Sequence, residues 1–220
     1  LAVNPRPAST VVLLDQLSNV YLTKRPKTMK FFGGYCVFPG GAVDKADYLI
    51  QHPQGKIEET FDFAYYVAAA RELYEEVGIM LVRHEDGTPF HVHNERLIEY
   101  RRLLHNGEIS FIDICHKEGV QLQLENIRYF GRLITPEESP IRFDTRFFLA
   151  KLPEGQSPRP NLNEVEEAFW ISPEEAIQEE RNGKIYLAPP TILALKTILN
   201  AKPDTPLFMP NLPMKWGNKN

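Results

Sequence analysis

Two cysteines in 220 residues, Cys36 and Cys115, are too few for a disulfide framework and favour a reducing compartment. No apolar run approaches the ~20 residues that span a bilayer, and no secretory leader is evident, so a membrane anchor is not expected. Positive charge is not in excess: 25 Lys and Arg stand against 29 Asp and Glu, a net charge of −4. General affinity for nucleic acid or anionic lipid is thereby disfavoured. Histidine is scarce, at six. His91 and His93 lack enough further donors nearby for a zinc site, and Cys115-His116 has none of the surroundings of a nucleophile. What remains is 43% hydrophobic and 25% charged, the balance of a globular protein, and a single domain over residues 1–220 is expected.

The chemistry-bearing residues converge on Arg71-Glu72-Leu73-Tyr74-Glu75-Glu76-Val77-Gly78-Ile79, the end of a run from Phe61 to Val77 whose spacing predicts one helix. At about 100° per residue, Glu72, Glu75 and Glu76 fall in one narrow sector with Tyr65, Ala64 and Ala68. Phe63, Tyr66, Val67, Ala70, Leu73, Tyr74 and Val77 form the opposite stripe, wide enough to seat the helix on a sheet. Gly78 ends it. Three carboxylates at i, i+3 and i+4 repel one another, at a few tenths of a kcal/mol per pair. A divalent cation reverses that sign. Oxygen ligands with no His or Cys among them point to Mg²⁺ or Mn²⁺, which keep open positions for substrate phosphates. Taken alone, such a trio also describes a solvated acidic face.

These nine residues resemble the second half of the Nudix box, Arg-Glu-hydrophobic-any-Glu-Glu-any-Gly-hydrophobic, at every specified position. Phe38-Pro39-Gly40-Gly41 resembles the loop that leads into that box. The family places five residues between Gly and the first Glu and seven more before Arg. Here Gly41 is followed after five residues by Asp47, and then by 23 residues before Arg71. The first acidic position therefore falls to Asp47, or to Glu58, Glu59 or Asp62 beyond an insertion at about residues 48–60. That insertion, with Pro53 and Gly55, reads as a loop. The stretch Tyr21 to Gly41 is similar to the signature that Nudix coenzyme A diphosphatases carry ahead of the box. Leu22, Thr23, Arg25, Gly34, Phe38, Pro39, Gly40 and Gly41 agree with it, while Tyr21, Pro26 and Phe32 depart. Val11 to Leu199 as a whole resembles the branch of coenzyme A diphosphatases with an interrupted box, known from peroxisomes. The closing Gly217-Asn218-Lys219-Asn220 carries no Ser-Lys-Leu address; the scarcity of cysteine makes the cytoplasm the expected location.

The remaining segments interleave strands and helices without regular βαβ alternation. Strands are expected at 10–14, 19–25, 127–135, 142–151 and 164–171. Helices are expected at 94–104, capped by Asn94, at 110–116 with Ser110 as cap, after Ser172-Pro173, and from Pro189 to Leu199. The helices at about 94–118 suit a lid or a dimer arm, leaving a homodimer open. An extended, proline-spaced tail is expected over 203–220. On the strand at 142–151, Arg142, Asp144 and Arg146 share one face, where they either pair with one another or contact phosphates.

The Nudix resemblance implies an α/β/α sandwich with a mixed sheet, plus extra helices after the Nudix helix. It implies metal-assisted hydrolysis of the diphosphate linkage of a small nucleoside diphosphate derivative, most specifically coenzyme A or acyl-coenzyme A. ADP-ribose, nucleotide sugars and dinucleotides are the alternative substrates, and a ligand-sensing domain that does not hydrolyse is the alternative of another class. In the expected site Glu72, Glu75 and Glu76, with the Gly40 carbonyl, hold Mg²⁺ or Mn²⁺. Arg71 orients Glu75 from behind. Glu72 is the first candidate for general base, ahead of Glu137, Glu138 and Glu164. Arg25, Lys27, Lys30, Gly40, Gly41, Arg142 and Arg146 are the candidate substrate contacts.

Overall fold

The computed structural model describes residues 3–50, 61–90, 95–202 and 205–210. The chain forms β1 (Arg6–Leu14), β2 (Val20–Lys24), β3 (Cys36–Val37), β4 (Gly40–Ala42), a 3₁₀ turn (Lys45–Leu49) and α1 (Ala64–Val77). It continues with β5 (Val82–His84), α2 (Glu95–His105), α3 (Phe111–Glu118), β6 (Val120–Leu122), a second 3₁₀ turn (Leu124–Asn126) and β7 (Ile127–Ile134). Last come β8 (Phe143–Lys151), β9 (Glu167–Ile171), α4 (Pro173–Arg181) and α5 (Pro189–Leu199).

Side-chain alternation on the central strands builds two cores, one on each face of the sheet. Val11 and Leu13 of β1 and Phe148 and Ala150 of β8 pack with Tyr66, Val67, Leu73, Tyr74 and Val77 of α1. Val12, Phe147 and Leu149 point the other way, towards Ala176 and Ile177 of α4 and Ala194 and Leu195 of α5. The result is an α/β/α sandwich, the architecture that the resemblance implies. Its sheet is mixed, in the order β3-β2-β1-β8-β7. β1 and β8 run parallel along their whole length, and the other pairings are antiparallel.

One departure from a regular sheet makes room for the site. β4 takes the edge of β1 at Ala8–Thr10, so β2 meets β1 only at Leu14 and Val20 before diverging to pair with β9 and β3. The cavity at this divergence is lined from both branches.

Several expected boundaries move. The box helix starts at Ala64 rather than Phe61 because the Asp62 carboxylate accepts the Ala64 N–H at 2.9 Å. Phe61 instead packs its ring on Tyr66 and Tyr129. Its other end is as expected, with Gly78 in the left-handed region at φ 74°. β1 begins at Arg6, drawn out by its pairing with β8, and β9 begins at Glu167, which leaves Glu164 in a turn. α3 has the expected Ser110 cap, completed by Asp113 in a reciprocal capping box. The short strands β3 to β6 were not expected, because two or three residues carry no readable period. Asn94, Glu58, Glu59, His91 and His93 lie outside the described residues, as does most of the insertion. Of the expected tail, Met209 is buried and its N–H donates to the Phe130 carbonyl at 2.8 Å. Among the described residues no helix is long and apolar enough to cross a membrane.

Phe148 is fully buried where α1 meets the sheet, in ring contact with Phe61, Tyr66 and Tyr129. Phe148→Ala is expected to remove about 3–5 kcal/mol of stability, measured as a lowered urea midpoint with an unchanged slope.

Candidate active site

Arg71 ties the helix to the segments in front of the insertion. Its Nε and Nη2 donate to the two oxygens of Asp47 at 2.9 and 3.0 Å, and Nη2 also reaches the Ala42 carbonyl at 2.8 Å. Its Nη1 donates to Glu72 at 2.8 Å and to Glu75 at 3.3 Å. The expected pairing with Glu75 is therefore present, with Glu72 and Asp47 added. Burial works against the charge of Arg71, but the Asp47 hydrogen bonds and the nearby Glu72 and Glu75 outweigh it and hold the guanidinium ionised.

Asp47 is only 1% exposed, and its own 3₁₀ turn fixes it by donating the Asp44 N–H to Oδ2 at 2.7 Å. Asp47, five residues after Gly41 and ahead of the insertion, is thus the aspartate that Arg71 engages among the described residues. Asp62 accepts the Ala64 N–H just ahead of α1.

The three helix glutamates lie in a recess beneath β4. A Cβ on Gly41 would stand 2.5 Å from Glu72 Oε1, so only glycine lets that carboxylate rest against the strand. The Gly40 N–H donates to Glu76 Oε2 at 3.3 Å. Burial pushes Glu72 up to about 7; Arg71 pulls it back and Glu75 pushes it further up. Burial also raises Glu75, against the pull of Arg71, and raises Glu76 well above the ordinary carboxylate range with help from Glu72. Recessed oxygen donors, with more negative charge than Arg71 and Arg25 balance, suit a hard divalent cation. Two of those oxygens are held by Arg71, and among the described residues no three acidic groups are already gathered into a metal-binding cluster.

The recess opens into a cavity of about 450 Å³. Glu72, Glu75, Glu76, Glu164, Gly40, Gly41 and Arg25 form its polar wall, and Met29, Phe31, Phe32, Phe38, Phe143, Phe147 and Pro190 its apolar wall. Arg25 braces the Pro26–Tyr35 loop, donating from Nε to the Phe31 carbonyl at 3.1 Å. Burial lowers its pKa while Glu76 and Glu72 oppose the shift. Phe32 sits at φ 54°, a conformation bulky side chains rarely adopt, and its ring lies tilted against that of Phe31, with centroids 4.3 Å apart.

Not every expected residue arrives at this cavity. Lys27 and Lys30 are exposed and do not line it; Lys27 borders a separate cleft with Lys24 and Lys184. Arg142 donates to the carbonyls of Thr135 and Val3, at 3.0 and 2.7 Å. Arg146 pairs with Asp144 and lies 4.4 Å above the Tyr65 ring. The pairing reading for that strand face is the one its geometry follows, although Arg142 chooses carbonyls over Asp144. Phe143, Thr145 and Phe147, on the opposite face of β8, are the residues of that strand that line the cavity. Glu137 and Glu138 are exposed on their loop and do not line it, whereas Glu164 does. Arg101 and His105 of α2 reach the edge of the site with no signal in the sequence to mark them.

The crystal structure of a NUDIX hydrolase from Alicyclobacillus acidocaldarius is similar throughout, with a TM-score of 0.79 at 30% identity over 90% of this chain and 93% of that one. Fold and glutamate helix together therefore define the class as Nudix hydrolase. Within it, the family described as the NUDT19 Nudix domain matches residues 51–198, and the chain belongs to that family. The curated "Putative nudix hydrolase 7" of Caenorhabditis elegans is 28% identical over 198 residues, covering 90% of this chain and 61% of that protein. The "Acyl-coenzyme A diphosphatase NUDT19" of Gallus gallus is 28% identical over 157 residues, covering 63% and 41%. The chain thus spans about two fifths to three fifths of the length of these curated relatives.

Two outcomes follow from the Arg71 network. Asp47→Ala leaves a buried guanidinium without its main partner and is expected to cost about 3–5 kcal/mol of stability, read from a denaturant midpoint. The raised glutamates make the metal-free fold pH-dependent. Below their ordinary pKa, near 4.5, folded and unfolded chains are both protonated and nothing is lost. As pH rises to about 7 the unfolded chain ionises first, so stability falls across that window. Mn²⁺ is expected to raise Tm more at pH 8 than at pH 5.5, measured by scanning calorimetry with and without EDTA.

Proposed function

We propose that this protein hydrolyses the diphosphate linkage of a nucleoside diphosphate derivative with Mg²⁺ or Mn²⁺, and that coenzyme A or acyl-coenzyme A is its substrate. The products are 3′,5′-ADP and (acyl-)phosphopantetheine. The observation that carries this reading is the meeting of Glu72, Glu75 and Glu76 with Gly40, Gly41 and Arg25 in one cavity. Residues 1–220 are read as one Nudix domain to which α2 and α3 are added.

In this reading Glu72, Glu75 and Glu76 hold the ions, with the Gly40 carbonyl as a further oxygen. When bound, the metal neutralises the diphosphate and acidifies the attacking water. Arg71 touches no substrate; fixed by Asp47, it sets where Glu72 and Glu75 point. Arg25 faces the anionic substrate from the opposite side of the recess. Water oxygen bonds to phosphorus, the bridging P–O bond breaks, its electron pair leaves with the departing phosphate, and a carboxylate takes the water proton. Glu164 lines the cavity without touching Arg71 and is the base this geometry favours, ahead of Glu72. A Glu72 pKa near 7 keeps that residue in contention. Glu137 and Glu138, exposed on their loop and not lining the cavity, are not the base in this reading.

The apolar wall suits a substrate that extends beyond its phosphates into an aromatic or aliphatic group. The partial coenzyme A signature and the likeness to the acyl-coenzyme A diphosphatase of Gallus gallus favour coenzyme A. Phe32, standing in the cavity where that signature has His, is the feature that favours a different nucleotide such as ADP-ribose. Retention of all three helix glutamates in the cavity weighs against a sensor without hydrolysis.

The test is a panel of coenzyme A, acyl-coenzyme A, ADP-ribose and NADH with Mn²⁺ or Mg²⁺, products identified by mass. Cleavage of the coenzyme A compounds is expected; turnover of ADP-ribose alone would move the assignment, and binding without turnover would make the protein a sensor. Metal stabilisation of the transition state is worth several kcal/mol, so Glu76→Gln is expected to lower kcat/KM by about 100-fold or more. EDTA abolishes turnover, and Mn²⁺ restores it.

A further inference from the structure

α2 meets the site through two side chains one turn apart, Arg101 and His105. Arg101 donates from Nε to the Glu75 carbonyl at 2.7 Å and from Nη1 to the Arg159 carbonyl. The Arg159 N–H donates to the Val77 carbonyl at 2.7 Å, and the Asn161 N–H to the Glu76 carbonyl at 2.8 Å. Glu75, Glu76 and Val77 end α1, where carbonyls have no donor from their own helix. All three are thus satisfied by α2 and the 159–161 segment. From that clamped segment the chain turns once more, the Glu164 N–H donating to the Asn161 carbonyl at 2.9 Å, and the Glu164 carboxylate enters the cavity beside Glu75 and Glu76. There its Oε1 meets Nδ1 of His105.

Resting on the hydrolytic reading above, we propose that His105 is a positioning residue for Glu164, holding that carboxylate towards the attacking water while Arg101 ties α2 to the end of the metal-binding helix. A surface His–Glu pair by itself contributes little. This one differs in that Glu164 lines the cavity and is only 19% exposed, while His105, 46% exposed, meets its carboxylate from α2. The charged groups around Glu164 are Glu75 and Glu76 of α1 and Arg101 and His105 of α2. Burial raises the Glu164 pKa, and His105 and Arg101 pull against that rise. In this account α2 serves the active site of its own chain.

Three substitutions separate geometry from bulk. His105→Asn keeps a donor where Nδ1 stands, His105→Gln carries it to the place of Nε2, and His105→Ala removes it. With Mn²⁺ and whichever of coenzyme A and ADP-ribose the wild type cleaves, Ala and Gln are expected to lower kcat about tenfold, part of the 10²–10⁴ a positioned base supplies. KM stays within about twofold. The acid limb of the kcat profile moves to higher pH, and Asn restores most of the rate. In a Glu164→Gln background His105→Ala has no further effect. Wild-type kcat and pH profile in His105→Ala, or an undiminished loss in the Glu164→Gln background, overturns the proposal. A second measurement is independent of turnover. In metal-free protein labelled with ¹³C-glutamate, the Glu164 carboxyl resonance is assigned by its loss in Glu164→Gln. Its titration midpoint is expected to rise in His105→Ala and His105→Gln and to return part of the way in His105→Asn. An unmoved midpoint in all three sinks the proposal. If the wild type cleaves no diphosphate, the hydrolytic reading falls, and the resonance still decides whether His105 governs Glu164.

Discussion

The geometry of the site depends on one buried ion pair, Asp47 with Arg71. Two charges this far from water cost several kcal/mol each to bury, and only close geometry with the remaining donors satisfied offsets that. Arg71 meets the condition by sharing its donors among Asp47, Glu72, Glu75 and the Ala42 carbonyl. Those partners belong to the 3₁₀ turn, to β4 and to α1, so one guanidinium fixes the helix against the glycine strand. The insertion leaves from between its two pinned ends. Chain closure grows as (3/2)RT ln n, so 23 residues in place of seven cost only about 1 kcal/mol. A motif can therefore be interrupted in sequence without being interrupted in space.

The same pair explains how the glutamates can be crowded together. Glu72, Glu75 and Glu76 are all pushed towards their protonated forms, and Glu164, in the same cavity, is pushed the same way. In stability terms this cluster is a liability, offset by the apolar core on the other side of α1, where Leu73, Tyr74 and Val77 are almost wholly buried. The recess thus stores an unfavourable charge arrangement of the kind a divalent cation would relieve, and the rest of the helix supplies the packing that keeps it folded.

How much of this was legible in the sequence follows from the range of each signal. The box helix, its glycine stop, the Ser110 cap and the glycine pair are local patterns, readable from neighbours three or four residues apart. Asp47 was legible through its distance from Gly41, although periodicity could not choose it over the acidic residues beyond the insertion. The strand at β8 shows the limit. Its alternation separates Arg142, Asp144 and Arg146 from Phe143, Thr145 and Phe147, and charge alone suggests that the cationic face meets phosphate. The cavity lies on the other face, because α1 covers the first and takes up Arg146 on the Tyr65 ring, while Asp144 is shared with Arg132. Lys27 and Lys30 were misplaced for a related reason: nearness in sequence to Arg25 does not carry them round the tight loop that turns Phe31 and Phe32 inward. Glu164 and His105 stand 59 positions apart in the numbering and meet only through the folded chain.

Placing glutamates in the last two turns of a helix sets them against its dipole, whose C-terminal end is already negative. Acidic residues ordinarily favour the opposite end, so α1 needs cationic or donor groups at its close beyond what Gly78 provides. Arg101 supplies one at the Glu75 carbonyl, and the Arg159 and Asn161 N–H groups supply two more. The partners that make the glutamate-bearing end tolerable are thus the elements that bring Glu164 and His105 to the cavity. Relief of the helix terminus and delivery of a fourth carboxylate are one structural event. That coupling gives a physical reason for α2 to pack here and not elsewhere on the sandwich.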